Sequence, residues 1–309
     1  MLSQLDDNTR PATMAGLFEL APAKINLALH VVGRRADGYH LLESIVTFAD
    51  HGDRLDFAPA ERDRFSFSGR FAPALSTGSG KHADNLVLKA RDRLRSLLQD
   101  QGLAAPPVAI HLEKNLPVAA GIGGGSADAA AALRGLLRLW DVEVSAPELD
   151  RLALELGADV PMCLRSEPML VRGIGEDVTL LPDFPSLALV LANPLVGVST
   201  PQIFRRLERK NNPPIGPKGE GDWVDFLGML RNDLEPPARS LVPEIAQVSA
   251  MLDAEDALLT RMTGSGATCF GLFETMDTAR GAASALQRRK PDWYFQAVQT
   301  AGHKSGTSS

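Results

Sequence analysis

The sequence predicts an α+β protein, either as one large domain or, as the length favours, as two domains that share a cleft. Its 309 residues reach the length, about 250–300 residues, at which chains divide into separate cores. Strand patterns and helix patterns follow one another without regular alternation, which favours an α+β fold over a doubly wound parallel sheet. Hydrophobic residues make up 44% of the chain and charged residues 23%, as expected for globular domains.

Local patterns divide the first part of the chain into elements. Residues 24–31, KINLALHV, alternate apolar and polar side chains and predict a half-buried strand with Lys24 and Asn26 on one face. An Asp-Gly turn signal at 37–38 precedes a second strand pattern over 41–49. The next patterns predict short strands over 53–59 and 63–69, a helix over 85–101 capped by Asp84 or Asn85, and a strand over 107–115.

The second part of the chain begins with a glycine-rich segment and a strong helix signal. This helix is expected to run to about Trp140, with Ser126 or Asp128 as its cap. Ser145 and Gly157 bound a further helix. The remaining patterns predict a strand over 186–194, a mobile Pro/Gly-rich loop over 212–222, a helix over 243–255, a strand, glycine turn and strand over 257–273, and a helix over 275–289.

Composition favours a cytoplasmic protein that binds neither nucleic acid nor membrane. The net charge of −6 disfavours a nucleic-acid-binding surface. Cys163 and Cys269 stand in apolar surroundings, so we expect buried thiols and no disulfide, as in a reducing compartment. The polar N-terminus does not resemble a secretory signal, and charges and glycines interrupt the longest apolar stretch. We expect disorder up to residue 16 and from residue 301 onwards.

The segment LPVAAGIGGGSADAAAAL, residues 116–133, points to a function. It places four glycines within five residues, directly before an alanine-rich helix signal. Glycine costs backbone entropy and adds no packing, so some group is expected to approach this backbone closely. A glycine loop that opens a helix also presents N–H groups at the positive end of the helix dipole, which forms an anion site.

Three interpretations of this segment compete. In the first, the small residues only allow two backbones to pack. The second is the dinucleotide fingerprint of an NAD-binding oxidoreductase, but Ser126 occupies the third glycine position and no strand leads directly into the loop. The third, a nucleotide phosphate cradle, is favoured. The segment is not a P-loop, because no Gly-Lys-Ser/Thr follows the glycines. It also differs from the nucleophile elbow of a hydrolase, because it lacks the final glycine of that motif.

Four further segments accompany the glycine loop in a recognisable order. They are PAKINLALHVVGRRADGYHLLES, GADVPMCL, NDLEPPA and MTGSGATCF. Together the five segments resemble the GHMP kinase superfamily over about residues 20–300. Within it they are similar to the kinases that act on 4-diphosphocytidyl-2-C-methyl-D-erythritol in the non-mevalonate isoprenoid pathway, and DGYH is the motif that narrows the resemblance to that family.

The resemblance implies a fold and a reaction. The fold would be the two-domain GHMP kinase fold, with a ribosomal-protein-S5-like, ATP-binding and catalytic lobe over 17–166 and a ferredoxin-like lobe over 167–301. The reaction would transfer the γ-phosphoryl group of ATP, with Mg²⁺, to the 2-hydroxyl of diphosphocytidyl methylerythritol. A GHMP kinase for another alcohol, such as homoserine or mevalonate, stays open, as does a homodimer.

The resemblance also implies roles for individual side chains. Asp159 matches the general base of the family, which accepts the proton of the attacking hydroxyl. Lys24 matches the active-site lysine, which keeps a carboxylate charged and stabilises phosphoryl oxygens. Asn26 would contact the erythritol end of the substrate. Tyr39 and His40 would bind the cytidine, by stacking on the base and by hydrogen bonding to its edge.

Two glycine-rich turns would bind phosphates through backbone N–H groups. Ser126 is the candidate Mg²⁺ contact. Lys114 is either a further contact to the nucleotide or a plain lysine at the end of a strand. Gly264, Ser265 and Gly266 would face a substrate phosphate, with a plain hairpin turn as the alternative. The residues expected to cradle the ATP phosphates are Pro117, Val118, Ala119, Ala120, Gly121, Ile122, Gly123, Gly124, Gly125, Ser126 and Ala127.

Overall fold

The structure is a computed structural model that describes residues 16–77 and 85–302. The expected disorder of residues 1–15 and 303–309 lies outside these ranges, as does the alternative cap Asp84. The predicted disorder from residue 301 is wrong for Ala301 itself, whose N–H donates to the carbonyl oxygen of Phe48 at 2.8 Å. The chain forms two compact units, each built from separated stretches, and the predicted division at 166/167 stays a prediction. Unit 1 comprises Met1–Pro22, Gly52–Val118 and Gly124–Leu164, and unit 2 comprises Ala23–His51, Ala119–Gly123 and Arg165–Ser309.

Strands and helices are mixed along the chain, which confirms the α+β class. Up to residue 165 the elements are β1 (Leu17–Arg34), β2 (His40–Pro59), β3 (Arg64–Ser68), α1 (Ala72–Thr77), α2 (Leu86–Asp100), β4 (Val108–Glu113), α3 (Gly124–Trp140), α4 (Ala146–Leu156) and α5 (Val160–Arg165). They are followed by β5 (Met169–Gly173), β6 (Asp177–Leu180), β7 (Ala188–Asn193), α6 (Thr200–Arg206), α7 (Trp223–Gly228), α8 (Glu235–Leu241), α9 (Glu244–Asp253), β8 (Leu259–Met262), β9 (Cys269–Phe273), α10 (Met276–Arg289) and β10 (Tyr294–Gln299).

Unit 1 combines strand pairs with packed helices. β4 pairs antiparallel with residues 54–59 of β2 and parallel with β3. α2 and α3 pack against each other, and the alanines of α3 are fully buried. The side chain of Asn85 accepts a hydrogen bond from the N–H of Val87 at 2.9 Å, which confirms the predicted cap of α2.

Unit 2 contains an antiparallel sheet of four strands in the order β10-β7-β9-β8. α9 and α10 pack on this sheet, and the apolar side chains of the helices and the sheet form one core. Met262 pairs with Cys269 across the glycine turn, which confirms the strand, turn and strand predicted over 257–273. Residues 42–46 of β2 pair with β5, which in turn pairs with β6.

β1 is buried on both faces, so the prediction of a half-buried strand is wrong. Every residue from Ala21 to Val31 is buried. The polar side chains of the strand find partners inside the protein. The His30 ring nitrogen Nδ1, for example, lies 3.1 Å from the carbonyl oxygen of Pro213. The polar positions therefore mark buried, hydrogen-bonded groups and not a solvent-facing side.

The predicted strands over 41–49 and 53–59 are one strand, β2. A Cβ at Gly52 would lie 2.6 Å from the carbonyl carbon of Ala21, so the glycine allows the two backbones to approach closely. The polar residues between the two patterns are thus part of a continuous strand. They resemble a turn in composition only.

Two predicted helix starts differ in detail. α3 begins at Gly124, so Ser126 and Asp128 lie inside the helix and neither is its cap. Ser145 does occupy the N-cap position of α4, but its side chain makes no capping hydrogen bond. Its hydroxyl instead donates to the Glu148 carboxylate.

The 212–222 segment is irregular, as predicted, but its first part is anchored within unit 2. The N–H of Asn212 donates to the carbonyl oxygen of Val31 at 3.0 Å. The N–H of Ile215 donates to the carboxylate of Glu43 at 2.7 Å, and Ile215 is buried. Composition alone did not indicate these contacts.

Sequence patterns missed several short elements. These are α1, β5, β6, α5, α6, α7, α8 and β10. Each has four to seven residues, which is too short to show a clear periodicity. Within the described ranges, no helix is both long enough and apolar enough to cross a membrane. Cys163 and Cys269 are buried thiols that take part in no disulfide, as predicted.

Gly135 tests the packing of α3 in unit 1. A Cβ at this position would lie 2.8 Å from Cδ2 of the buried Phe57 ring and nearer still to its outer edge. We expect Gly135→Ala to lower the free energy of unfolding by about 1–3 kcal/mol through overpacking, measured by urea denaturation. Gly281→Ala, a helical position with open space, is the control and should raise it by about 0.5–1 kcal/mol. Equal stability changes would contradict the packing argument.

Candidate active site

Two glycine segments contact each other backbone to backbone in unit 2. Gly121 has φ +76°, and a Cβ on it would lie 2.7 Å from both the nitrogen and the oxygen of Gly266. Gly264 has φ +55°, and a Cβ on it would clash with the carbonyl oxygen of Gly121. The group that approaches Gly121 closely is therefore the second glycine turn. For Gly121, the interpretation that small residues allow two backbones to pack therefore holds.

A threonine and an asparagine fix this contact. The Thr268 hydroxyl donates to the carbonyl oxygen of Ala120 at 2.6 Å. The same hydroxyl accepts a hydrogen bond from Nδ2 of Asn193 at 2.7 Å. Both partners are buried, so the loop at 119–123 is held by a fully hydrogen-bonded polar network.

Lys24 lies along the end of the same loop. Its N–H donates to the carbonyl oxygen of Ile122 at 3.0 Å. Gly123 has φ +66°, and a Cβ there would lie 3.0 Å from the Lys24 Cβ and 3.2 Å from its Cε. Gly123 therefore makes room for the lysine side chain, which is buried. The structure brings together a buried cation and the glycine loop predicted to bind phosphate.

Asn26 follows Lys24 on the same face of β1 and is also buried. Its N–H donates to the Thr263 hydroxyl at 2.8 Å, and its Nδ2 donates to the Ser44 hydroxyl at 2.7 Å. Its Oδ1 is buried and has no hydrogen-bond partner. An unsatisfied buried acceptor is costly, and a donor on a bound ligand, such as a hydroxyl, would satisfy it.

Tyr39 and His40 lie at the end of the predicted turn. Tyr39 is 64% exposed. The His40 ring stacks on Phe204, with ring centroids 4.8 Å apart and 16° between planes. Burial lowers the pKa of His40, and the nearby charges of Arg34 and Lys210 lower it further, so the ring is neutral at pH 7. Its Nδ1 is buried without a hydrogen-bond partner.

Sequence reasoning missed Phe204 and the helix that carries it. α6 holds Phe204 and, one turn earlier, Thr200, whose hydroxyl lies 2.8 Å from that of Ser265. Residues four apart share a helix face, so α6 links the His40 ring to the second glycine turn. The available signal was Ser199 followed by Pro201, a short helix-start pattern.

Unit 1 contains a buried cluster of charges beside the first residue of α3. Nζ of Lys114 lies 2.5 Å from Oδ2 of Asp53 and 2.7 Å from Oδ2 of Asp128. A Cβ at Gly124 would lie 3.2 Å from this Nζ. Lys114 is thus held in buried ion pairs. The expectation that it contacts the nucleotide finds no support in this placement.

Burial raises the pKa of Asp128 to about 7, although Lys114 opposes the shift. A carboxyl whose pKa is higher in the folded state than in the unfolded chain binds its proton more tightly when folded. The contribution of Asp128 to the free energy of unfolding should therefore fall as pH rises from about 4 to 7.

We expect Asp128→Asn to remove this dependence. Relative to wild type, its stability should increase between about pH 5 and about pH 8 in urea denaturation. Asp63→Asn is the control, because hydrogen bonding from Arg95 lowers the pKa of Asp63 to about 2 and the group stays charged over this window. A constant difference between wild type and Asp128→Asn would contradict the assignment.

Asp159 lies in the short turn between α4 and α5. Its side chain is partly exposed, and its backbone oxygen accepts a hydrogen bond from the N–H of Cys163 at 3.2 Å. This placement is compatible with a carboxylate that meets a ligand. The predicted role of Asp159 as general base stays a prediction.

The remaining residues of the glycine segment divide by burial. Val118 is exposed, whereas Ala120, Ile122 and Ala127 are buried, so only backbone atoms of these three are candidates for ligand contacts. Gly124–Ala127 form the first turn of α3.

Among residues 16–77 and 85–302, no group of three or more His, Cys, Asp or Glu side chains is arranged to hold a metal ion.

The family models match both parts of the chain. The GHMP kinases N terminal domain matches residues 85–167, and the GHMP kinases C terminal domain matches residues 218–292. With the glycine loop and the second glycine turn in place, the chain belongs to the GHMP kinases, which are ATP-dependent kinases. The two-domain GHMP kinase fold is therefore confirmed.

Relatives that align over nearly their whole length place the chain in one family within the GHMP kinases. A 4-diphosphocytidyl-2-C-methyl-D-erythritol kinase of Rhizobium etli is 61% identical over 285 residues, which cover 92% of this chain and 95% of the relative. The enzyme of that name from Sinorhizobium medicae is 58% identical over 303 residues and is covered completely. The chain is a member of the 4-diphosphocytidyl-2-C-methyl-D-erythritol kinase family.

Solved structures agree with this assignment. A crystal structure of 4-(cytidine 5'-diphospho)-2C-methyl-D-erythritol kinase matches with a TM-score of 0.75 and 33% identity, covering 93% of this chain and 100% of that one. A homoserine kinase from Cytophaga hutchinsonii shares the fold, with a TM-score of 0.65 at 18% identity. The NAD-binding oxidoreductase, considered from the sequence alone, is wrong.

Proposed function

We propose that this chain transfers the γ-phosphoryl group of ATP to the 2-hydroxyl of 4-diphosphocytidyl-2-C-methyl-D-erythritol. The observation that carries the proposal is the identity of about three residues in five to kinases named for that substrate, over nearly the whole length of both chains. The buried lysine beside a glycine loop adds a local arrangement suited to phosphate chemistry.

ATP is proposed to bind along residues 117–127. The first turn of α3 offers backbone N–H groups that have no partner within the helix and lie at the positive end of its dipole, which suits the phosphates. Mg²⁺ would neutralise charge on these phosphates. It commonly binds through the nucleotide and water with few protein ligands, and the Ser126 hydroxyl lies at this turn.

Asp159 and Lys24 are proposed to carry the chemical step. Asp159 accepts the proton of the substrate 2-hydroxyl as its oxygen forms a bond to the γ-phosphorus. The bond between the γ-phosphorus and the bridging oxygen breaks, and ADP leaves with that oxygen. Lys24, fixed along the glycine loop, stabilises negative charge on the transferred group.

The acceptor substrate is proposed to bind through residues of unit 2. The neutral His40 ring offers an unpartnered Nδ1 for hydrogen bonding, and the exposed Tyr39 ring offers a face for stacking on the cytosine. The free Oδ1 of Asn26 would accept a hydrogen bond from a hydroxyl of the erythritol. Gly264, Ser265 and Gly266 would contact a substrate phosphate through their backbone.

The setting of the enzyme is proposed as well. We propose that it works in the cytoplasm, where cysteines outside disulfides, such as Cys163 and Cys269, are usual. We also propose that nucleic acid is not a partner of this acidic chain. A homodimer stays a prediction, which light scattering of the purified protein would test.

The deciding experiment is single-turnover formation of ADP from Mg-ATP with three acceptors. Diphosphocytidyl methylerythritol should be phosphorylated, whereas homoserine and mevalonate should yield only the background rate. Phosphorus NMR would place the new phosphoryl group on the 2-hydroxyl. Turnover of homoserine or mevalonate without turnover of the cytidine substrate would overturn the proposal.

A further inference from the structure

The segment 231–234, between α7 and α8, fixes the second glycine turn through one side chain. Nδ2 of Asn232 donates to the carbonyl oxygen of Met262 at 2.7 Å and to that of Gly264 at 2.9 Å. Its Oδ1 accepts from the N–H of Leu234 at 2.9 Å. The side chain is buried, and its amide therefore bridges the backbone on both sides of Thr263.

The bridged turn carries contacts to two parts of the site. The Thr263 hydroxyl accepts the N–H of Asn26. The Gly264 backbone packs on Gly121, where no side chain fits between them. A shift of the Gly264 carbonyl would thus move the glycine loop and the backbone support of Asn26 together.

Asn232 is itself held on the strand that carries Lys24 and Asn26. The N–H of Leu29 donates to the carbonyl oxygen of Arg231 at 2.9 Å, and the N–H of Asp233 donates back to Leu29 at 2.8 Å. The Asp233 carboxylate accepts the N–H of Val31 at 2.7 Å. The segment therefore runs parallel to β1, and Asn232 forms an isolated β-bridge with Leu29.

We propose that Asn232 is a positioning residue for phosphoryl transfer, which sets the second glycine turn, and through it the glycine loop, in register with β1. The inference rests on the proposed function of that loop as the ATP phosphate site. It gives a role to the NDLE segment, residues 232–235, which has none in the reaction proposed above. Small displacements at a phosphoryl-transfer site are costly, because a misplacement of about 1 Å lowers rates by about 10²-fold.

Asn232→Asp tests the proposal sharply. The carboxylate keeps the acceptor for Leu234 and the side-chain shape, but it removes both donors and faces two carbonyl oxygens. We expect kcat/KM for ATP to fall about 10²-fold, with KM for ATP raised at least about tenfold. A purely structural role would reduce the folded fraction, and hence the apparent kcat, and would leave KM unchanged.

Asn212→Asp is the matched control. Nδ2 of Asn212 also donates to a backbone carbonyl of β1, that of Val31, at 3.1 Å. Its second hydrogen bond goes to the carbonyl oxygen of Arg209 at 3.4 Å and not to the glycine turn. Its kinetic constants should stay within about threefold of wild type. If Asn232→Asp matches this control in both kcat and KM, the proposal is overturned.

Two further measurements keep the test decisive. If Asn232→Asp does not fold, Asn232→Ser, which retains one donor and a local turn, should raise KM for ATP about tenfold, and an unchanged KM overturns the proposal. Calorimetric binding of a non-hydrolysable ATP analogue to wild type and variant is independent of turnover. Weaker binding to the variant supports the positioning role even if wild type fails to phosphorylate the cytidine substrate, and equal binding overturns it.

Discussion

Asp159→Asn should lower the single-turnover rate of phosphoryl transfer about 10³-fold, within the range of 10²–10⁴ that general base catalysis contributes. The amide has nearly the same shape as the carboxylate but cannot take the proton of the attacking hydroxyl. Binding of diphosphocytidyl methylerythritol, measured by calorimetry, should change little. The loss would then lie in kcat and not in substrate affinity.

Glu155→Gln is the control for this experiment. Glu155 is an exposed acid in the last turn of α4, four residues before Asp159, so its neutralisation changes local charge without touching the turn. It should leave the rate unchanged. If Asp159→Asn retains nearly full activity, the proton has another acceptor, and positioning by the glycine loop and Lys24 carries the catalysis.

Gly121→Ala should produce the second large effect. The new Cβ would lie 2.7 Å from backbone atoms of Gly266 and 2.9 Å from the carbonyl oxygen of Thr263, so the two glycine segments must separate. We expect kcat/KM for ATP to fall at least about 10²-fold. The positive φ of the residue adds backbone strain of about 1–3 kcal/mol.

Gly102→Ala is the control that separates backbone strain at a positive φ from the steric contact between the glycine segments. Gly102 has φ +73°, close to that of Gly121, but a Cβ there would meet no atom within 4 Å. Both variants should lose stability in urea denaturation through strain, and Gly121→Ala alone should lose activity. Equal values of kcat/KM for ATP in the two variants would show that the backbone contact between the glycine segments does not contribute to the use of ATP.

The sequence predicts features of this protein that depend on near neighbours. Asn85 caps α2 as expected, and the glycine turn joins β8 to β9, because both features are set within a few residues. The face shared by Lys24 and Asn26 follows from strand geometry alone. Five motifs in order were enough to identify the family.

What the sequence did not indicate depends on distant partners. The hydrogen bond from Thr268 to Ala120 joins residues 148 positions apart, and nothing local signals it. Phe204 meets His40 only because a seven-residue helix, too short for a periodic signal, carries it there. The buried ion pairs of Lys114 join it to Asp53, 61 positions away, and to Asp128 inside α3, and no local pattern indicates them.

The backbone contact between Gly121 and Gly264 also limits how this enzyme can evolve. In an ordinary core, a larger residue at one position is compensated by a smaller residue at its neighbour. Here both neighbours already lack side chains, and each faces main-chain atoms of the other segment. No second-site substitution can therefore restore the space, so neither position has a neutral path to another amino acid while the two loops stay in contact.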